Sequence, residues 1–334
     1  MRGDGASRSS VQRATFIFAT LYLLFLPAAF GQQFLGRDTN VNADCLTAIS
    51  ANASGQGGRA CDHQAVAELA RSGHAFAQNQ MGIESALVLG PRRTLGEARK
   101  WFEKAAARGY APAQVNLAVL YLNGWGAVQN YGAALYWLKS AAEKGNARAH
   151  MNLGILYMNG WGVRRDYDEA LQNFRFAAEH GESGAMVNLG YLSDAGLGMP
   201  RDIAAAAEWY RQAAERGDPL GQNNLADLYF RGEGLPQSDA LALAWFEKAA
   251  AQGNTGAQIK LGYLYATGRA GRRDNESAYA WILSAVMAGD ARGEEYLLPL
   301  EKQLRPEQLA CAKQRAEALE ATAAHTIPEL AFVR

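Results

Sequence analysis

The chain has 334 residues, 49% of them apolar, and its 33 Lys and Arg balance 33 Asp and Glu, so the net charge is zero. A balanced charge without a basic stripe argues against nucleic acid as a partner. No two of the five histidines stand at metal-ligand spacing on one helix, none pairs with a nearby cysteine, and neither a metal nor a cofactor is expected.

Residues 1–31 read as a secretory signal peptide. Arg2, Arg8 and Arg13 make a basic start, and Ala14 to Leu26 form an apolar run. Pro27 then precedes Ala29-Phe30-Gly31, which fits a small-x-small cleavage rule and makes Gln32 the expected mature terminus. The alternative is an uncleaved anchor, for which the run is short; only then is the membrane a partner. The expected location is periplasmic or secreted, in a bacterial envelope.

Residues 32–60 are rich in Gly, Ser, Asn and Ala and read as a flexible linker, flanked by Cys45 and Cys61. In an exported chain those two are disulfide candidates, the alternative being two free thiols. From Cys61 to Gly73 runs a half-unit that precedes the main pattern.

A unit of 36 residues then recurs at 75–110, 111–146, 147–182, 183–218, 219–254 and 255–290. A fixed period of this size marks stacked supersecondary units, each unable to bury its apolar face alone. The first helix of each unit carries Met81, Leu117, Leu153, Leu189, Leu225 or Leu261. A tiny residue follows: Gly82, Ala118, Gly154, Gly190, Ala226 or Gly262. That column implies close backbone approach between helices, since glycine inside a helix costs about 1 kcal/mol relative to alanine.

Paired turn glycines, such as Gly124 and Gly126 or Gly232 and Gly234, stop the first helix and reverse the chain. Asp166, Asp202 and Asp274 sit where the second helix needs an N-cap. That helix carries an aromatic column of Trp101, Trp137, Trp209, Trp245 and Trp281, then an alanine pair, and closes on a C′ glycine such as Gly145 or Gly253. Residues 291–334 read as capping helices with a tail, in which Cys311 is expected to be a buried small apolar residue.

These columns resemble the Sel-one-like repeats (SLR), relatives of the tetratricopeptide repeat. The family pattern A-x-x-x-L-G-x-x-Y, G-x-G-V, A-x-x-W-Y/F-x-x-A-A-x-x-G is met nearly in full by AHMNLGILYMNGWGV and ALQNFRFAAEHG of residues 147–182. Ser85, Val88, Ser193, Ala270 and Val286 depart from it locally. The resemblance implies an all-α fold, a right-handed α-solenoid of tandem antiparallel helix pairs over 61–290. It also implies an adaptor or signalling role with a protein or peptide partner, such as a membrane sensor or envelope complex. Family members proposed as secreted hydrolases carry a cysteine pair in every unit, which this chain lacks. No nucleophile–base arrangement is visible, and the chain is not expected to be an enzyme. A secreted hydrolase and a structural envelope component remain the alternative functions.

Contact candidates lie between the packing columns. Asn116, Asn152, Asn188 and Asn224 recur once per unit on the first helix, either as an amide ladder for a peptide backbone or as locally bonded residues. On the neighbouring flank Val115, Val119, Leu122, Met151, Ile155, Met158, Val187 and Tyr191 are apolar, and unit five turns polar at Asn223 and Asp227. These line an apolar groove or pack between adjacent helices; Met151, Met158 and Tyr191 are the contact candidates. Trp125 and Trp161, between the turn glycines of units two and three, are either interface anchors or fold back onto a neighbouring unit.

Overall fold

The computed structural model describes residues 63–87, 95–269 and 271–326. The signal and linker readings, with Cys45 and Cys61, therefore lie outside the described residues. Within them the chain is an all-helical α-solenoid, built as helices in tandem. It divides into two compact units, the first ending at Asp166 and the second beginning at Tyr167.

The first unit runs α1 (His63–Ser72), α2 (Ala75–Leu87), α3 (Leu95–Ala107), α4 (Ala111–Asn123), α5 (Tyr131–Ala142) and α6 (Ala147–Asn159). Each helix packs on the next. Phe102, Leu117 and Leu120 are fully buried at its centre, with Ile83, Ala98 and Ala113, while Trp137 closes one side. Val66, Ala70 and Ala77 form a smaller core that Trp101 covers, so the half-unit α1 shields the first repeat.

The second unit runs α7 (Tyr167–Glu179), α8 (Ser183–Ala195), α9 (Ile203–Glu215), α10 (Pro219–Arg231), α11 (Asp239–Ala251), α12 (Thr255–Thr267) and α13 (Asn275–Met287). A 3₁₀ turn at Ala291–Gly293 leads to α14 (Glu294–Glu301) and α15 (Pro306–Thr326), both of which pack on α13. Leu300 and Ala312 close over Ala278 and Ile282, and Leu319 reaches the cluster around Phe246. The apolar face of the last repeat thus stays out of water. Cys311 departs from expectation: it is exposed, because α15 turns Ala312 and Ala316 inward. The Glu276 carboxylate beside it pushes its thiol pKa up.

The repeat columns act through identifiable contacts. The tiny residue after the Leu column does admit a close neighbour: a side chain at Gly82 and Gly190, and at Gly262 the Ile282 side chain together with the Ala278 carbonyl, 3.0 Å from where a Cβ would stand. A Cβ on Gly190 would stand 2.5 Å from the Tyr210 ring, and one on Gly82 equally close to Phe102. The residue after the Trp column therefore inserts against its own repeat's first helix. The first turn glycine is a left-handed C-cap, as at Gly124 (φ 69°), whose N–H donates to the carbonyl of Leu120. The second, Gly126 (φ 67°), lies where a Cβ would meet the Leu95 carbonyl at 2.4 Å. The turns at Gly126, Gly162, Gly198 and Gly234 are thereby seated on the start of the preceding repeat's second helix, at Leu95, Tyr131, Tyr167 and Ile203.

Capping follows the expected plan and extends it. Asp202 and Asp274 accept from the first turns of α9 and α13, and Asn130 and Ser238 do the same for α5 and α11. The first helices are capped too, by Asn146, Asp218 and Asn254, each just after a closing glycine. A buried glutamine column adds a tie between repeats. The amides of Gln78, Gln114, Gln222 and Gln258 donate to the carbonyls of Ala70, Ala106, Ala214 and Ala250 at 3.1–3.3 Å. Those carbonyls lie in last helical turns, where intrahelical donors run out.

Candidate partner-binding site

Most of the residues marked by the sequence as contacts are built into the packing. In the first unit Asn116 is fully buried and donates to the Asn79 amide oxygen at 2.9 Å. Asn152 is 3% exposed and donates back to the Arg148 carbonyl. Met151 and Met158 are buried beside them. In the second unit Asn188 is buried and donates to the Gly184 carbonyl at 2.8 Å. Burial removes these five side chains from any contact surface, because the flank that carries them is a seam between helices. Asn224 and Tyr191 stay half-buried; Asn224 accepts from Asn223, and burial raises the Tyr191 pKa.

The loop tryptophans fold back, and onto the preceding repeat. Trp125 packs on the cluster that holds Phe102, close to Leu95. Trp161 stacks on Tyr131 with ring centroids 5.6 Å apart and planes 17° from parallel. Both are half-buried and help seat the turns.

The flank opens instead at repeats five and six, as a cleft of about 290 Å³ within the second unit. From α10 come Asp227 and Phe230, three residues apart on one face; from α12 come Ile259, Lys260 and Tyr263. Arg269 contributes from the following turn and Tyr296 from α14. Tyr263 and Tyr296 are 41% and 38% exposed, whereas Val115, Val119, Leu122, Met151, Ile155, Met158 and Val187 of the first-helix flank are buried. Phe230 meets Tyr263 edge to face at 6.0 Å, and the Arg269 guanidinium lies 4.2 Å from the Phe230 ring centre.

Charges around the cleft hold one another. Lys260 pairs with Asp227 at 2.7 Å, and Arg231 bridges Asp227 and Glu233 at 3.0 and 2.9 Å. Arg269 grips Asp239 through two bonds of 3.0 and 2.8 Å. Exposed pairs of this kind contribute little stability, about 0–1 kcal/mol, so their effect is to fix side-chain positions. Burial first, then a hydrogen bond to the Glu295 carboxylate, raises the pKa of the Tyr296 phenol, which stays a protonated donor. Aromatic faces with polar edges suit recognition of a side chain. Among the described residues no group of three or more His, Cys, Asp and Glu is gathered as a metal site needs, and no helix is long and apolar enough to cross a membrane.

The cleft lies in the columns that the sequence marked, but in other repeats. Tyr263 falls in the column of Tyr191, Lys260 in that of the asparagines, Ile259 in that of Met151 and Phe230 in that of Met158. The available signal was aromatic residues at 230 and 263, outside the Leu, Trp and Gly columns that account for packing. Tyr296 lies beyond the repeats and had none.

The Sel1 repeat family model matches residues 75–110, 111–146, 147–182, 183–218, 219–254 and 255–290. The chain is similar to a Sel1 repeat protein from Oxalobacter formigenes, at 34% identity and a TM-score of 0.64, over 74% of this chain and 97% of that one. It is also similar to a protective antigen present in uropathogenic Escherichia coli strains and displaying an SLR fold, at 30% identity and a TM-score of 0.60. That match covers 86% of this chain but only 64% of the antigen. No curated protein matches the chain.

Proposed function

Because the chain belongs to the Sel1 repeat family, we propose that it is an exported interaction scaffold that holds a protein or peptide partner at the first-helix flank of repeats five and six. Proteins of this family are commonly protein-interaction scaffolds, and their fold is typically non-catalytic. The observation that carries the reading is the cleft with two exposed tyrosines, Tyr263 on a flank where Met151, Ile155, Met158 and Val187 are buried and Tyr296 beside it on α14. Amphipathic aromatic side chains of this kind are favoured interface anchors. Export is supported by the basic start, apolar run and small-x-small site of residues 1–31.

A photo-crosslinking residue placed at Tyr263, expressed from the native host, tests both parts. Crosslinks to a defined envelope protein are expected from position 263 and not from Tyr136, an exposed side chain on α5. Equal recovery from both positions removes the cleft from the reading. Terminal mapping of the purified chain should give Gln32; an intact Met1 refutes cleavage at Gly31.

A further inference from the structure

The groups that line the cleft define the chemistry of its occupant, on the premise of the scaffold reading that it is a docking site. The charged residues of its wall are one carboxylate, Asp227, against two cations, Lys260 and Arg269. Both oxygens of Asp227 are engaged, Oδ1 by Lys260 and Oδ2 by Arg231. Asp239 and Glu233, which complete the ion pairs, are not part of the wall. The charges nearest to an occupant are therefore positive on balance, and the nearest charges dominate. Donors are in surplus too. Arg269 gives Nε and Nη2 to Asp239, which leaves Nη1 without an acceptor among the described residues. The Lys260 ammonium gives one N–H to Asp227 and has two more. Three residues along the same face of α12, the Tyr263 phenol makes no hydrogen bond among the described residues. Beside these donors Phe230 and Ile259 present half-buried apolar surface.

We propose that the cleft receives a segment of a partner protein that sets an Asp or Glu beside an apolar side chain. The apolar side chain, aromatic or branched aliphatic, seats against Phe230 and Ile259. The carboxylate accepts from the unused donors of Lys260, Arg269 and Tyr263, and no existing ion pair has to break. A basic segment is disfavoured, because it meets two cations across a wall whose one carboxylate is already shared.

Selection of a random dodecapeptide display library on the full-length chain tests this. Enriched peptides should carry an aromatic or branched aliphatic residue next to Asp or Glu, and should bind more weakly as salt rises. For a selected peptide, Lys260→Ala should weaken binding about threefold, as loss of an exposed charge contact does. The same substitution should have no effect on the peptide whose Asp or Glu is replaced by Asn or Gln, so the two changes are coupled. Tyr263→Ala with Tyr296→Ala should weaken binding about tenfold or more, as loss of aromatic anchors does. Lys100→Ala, which removes an exposed cation from α3, should leave affinity unchanged. Matched helicity and melting temperature should show that all variants fold. Enrichment of basic peptides, no enrichment at all, uncoupled losses, or binding that survives the tyrosine pair overturns the proposal. The scaffold reading is judged separately by the crosslink from position 263: a native partner captured there that is indifferent to Lys260→Ala leaves that reading standing and refutes only this chemistry.

Discussion

The first-helix flank meets two fates in one chain. In repeats two and three Val115, Asn116, Val119, Met151, Asn152 and Ile155 are between 0 and 5% exposed. In repeats five and six the same columns carry Asn223, which is still buried, and Asn224, Asp227, Ile259, Lys260 and Tyr263, which are half-buried or exposed. The backbones do not explain the difference, since α4, α6, α10 and α12 have equal lengths and the same left-handed glycine C-cap. The side chains do. Val, Met and Asn are compact enough to enter a seam between helices, whereas Lys260, Asp227 and the phenol of Tyr263 carry polar tips that are costly to desolvate. A repeat can therefore keep its fold while one flank changes from interior to surface.

Substitutions at matched columns sharpen that contrast. Met151→Ala should cost about 2–5 kcal/mol by chemical denaturation, from lost burial plus a cavity. Tyr263→Ala should cost less than about 0.5 kcal/mol, as surface substitutions do. A negligible loss at Met151 would return it to the surface and erase the contrast. Next in size, Asn116→Ala deprives the Asn79 oxygen of a donor in a buried setting and should cost about 1–3 kcal/mol. A double-mutant cycle with Asn79→Ala should recover part of that loss as coupling. In the same column Lys260→Ala loosens only an exposed pair and should cost under about 1 kcal/mol.

The periodicity made the fold legible because each column answers one packing demand. The Leu and Trp columns, the turn glycines and the Asp202 and Asp274 caps appear where the spacing placed them. The candidate site was legible only as columns. A single helix sequence states which residues share a face, but whether a neighbouring helix covers that face depends on packing between elements far apart in sequence. Asn116 illustrates this: its partner Asn79 is 37 positions away, and only the fold brings them together. The glutamine tie was hidden similarly, since His150 and Met186 interrupt its column. Cys311 was misread because a helical pattern without a known partner does not state which side faces inward.

The smallest expected effect concerns pH, and it contrasts the end of the second unit with the first. Asp290 has its pKa lowered, chiefly by the Arg292 side chain bonded to it. Burial opposes ionisation of Asp274, but hydrogen bonds from Ser277 and Glu276 and the charge of Arg315 outweigh it and lower that pKa too. Both carboxylates hold the end of the stack: Asp274 caps α13, Arg315 ties α15 to Ser277 at 3.0 Å, and Asp290 caps the turn before α14. A folded pKa below the unfolded one means that the unfolded chain binds more protons. The stabilisation is therefore complete above the ordinary carboxylate value of 3.8 and is lost as pH falls through the lowered folded values. The loss should stay under about 1 kcal/mol for each group, because both remain partly solvated. Amide exchange in α13 and α15 should accelerate as pH drops from about 5 to 3, while α3 to α5 keep their protection. Asp274→Asn and Asp290→Asn should flatten that response. Equal loosening of both units over the same range would instead place the acid-sensitive contacts throughout the repeats and not at their capped end.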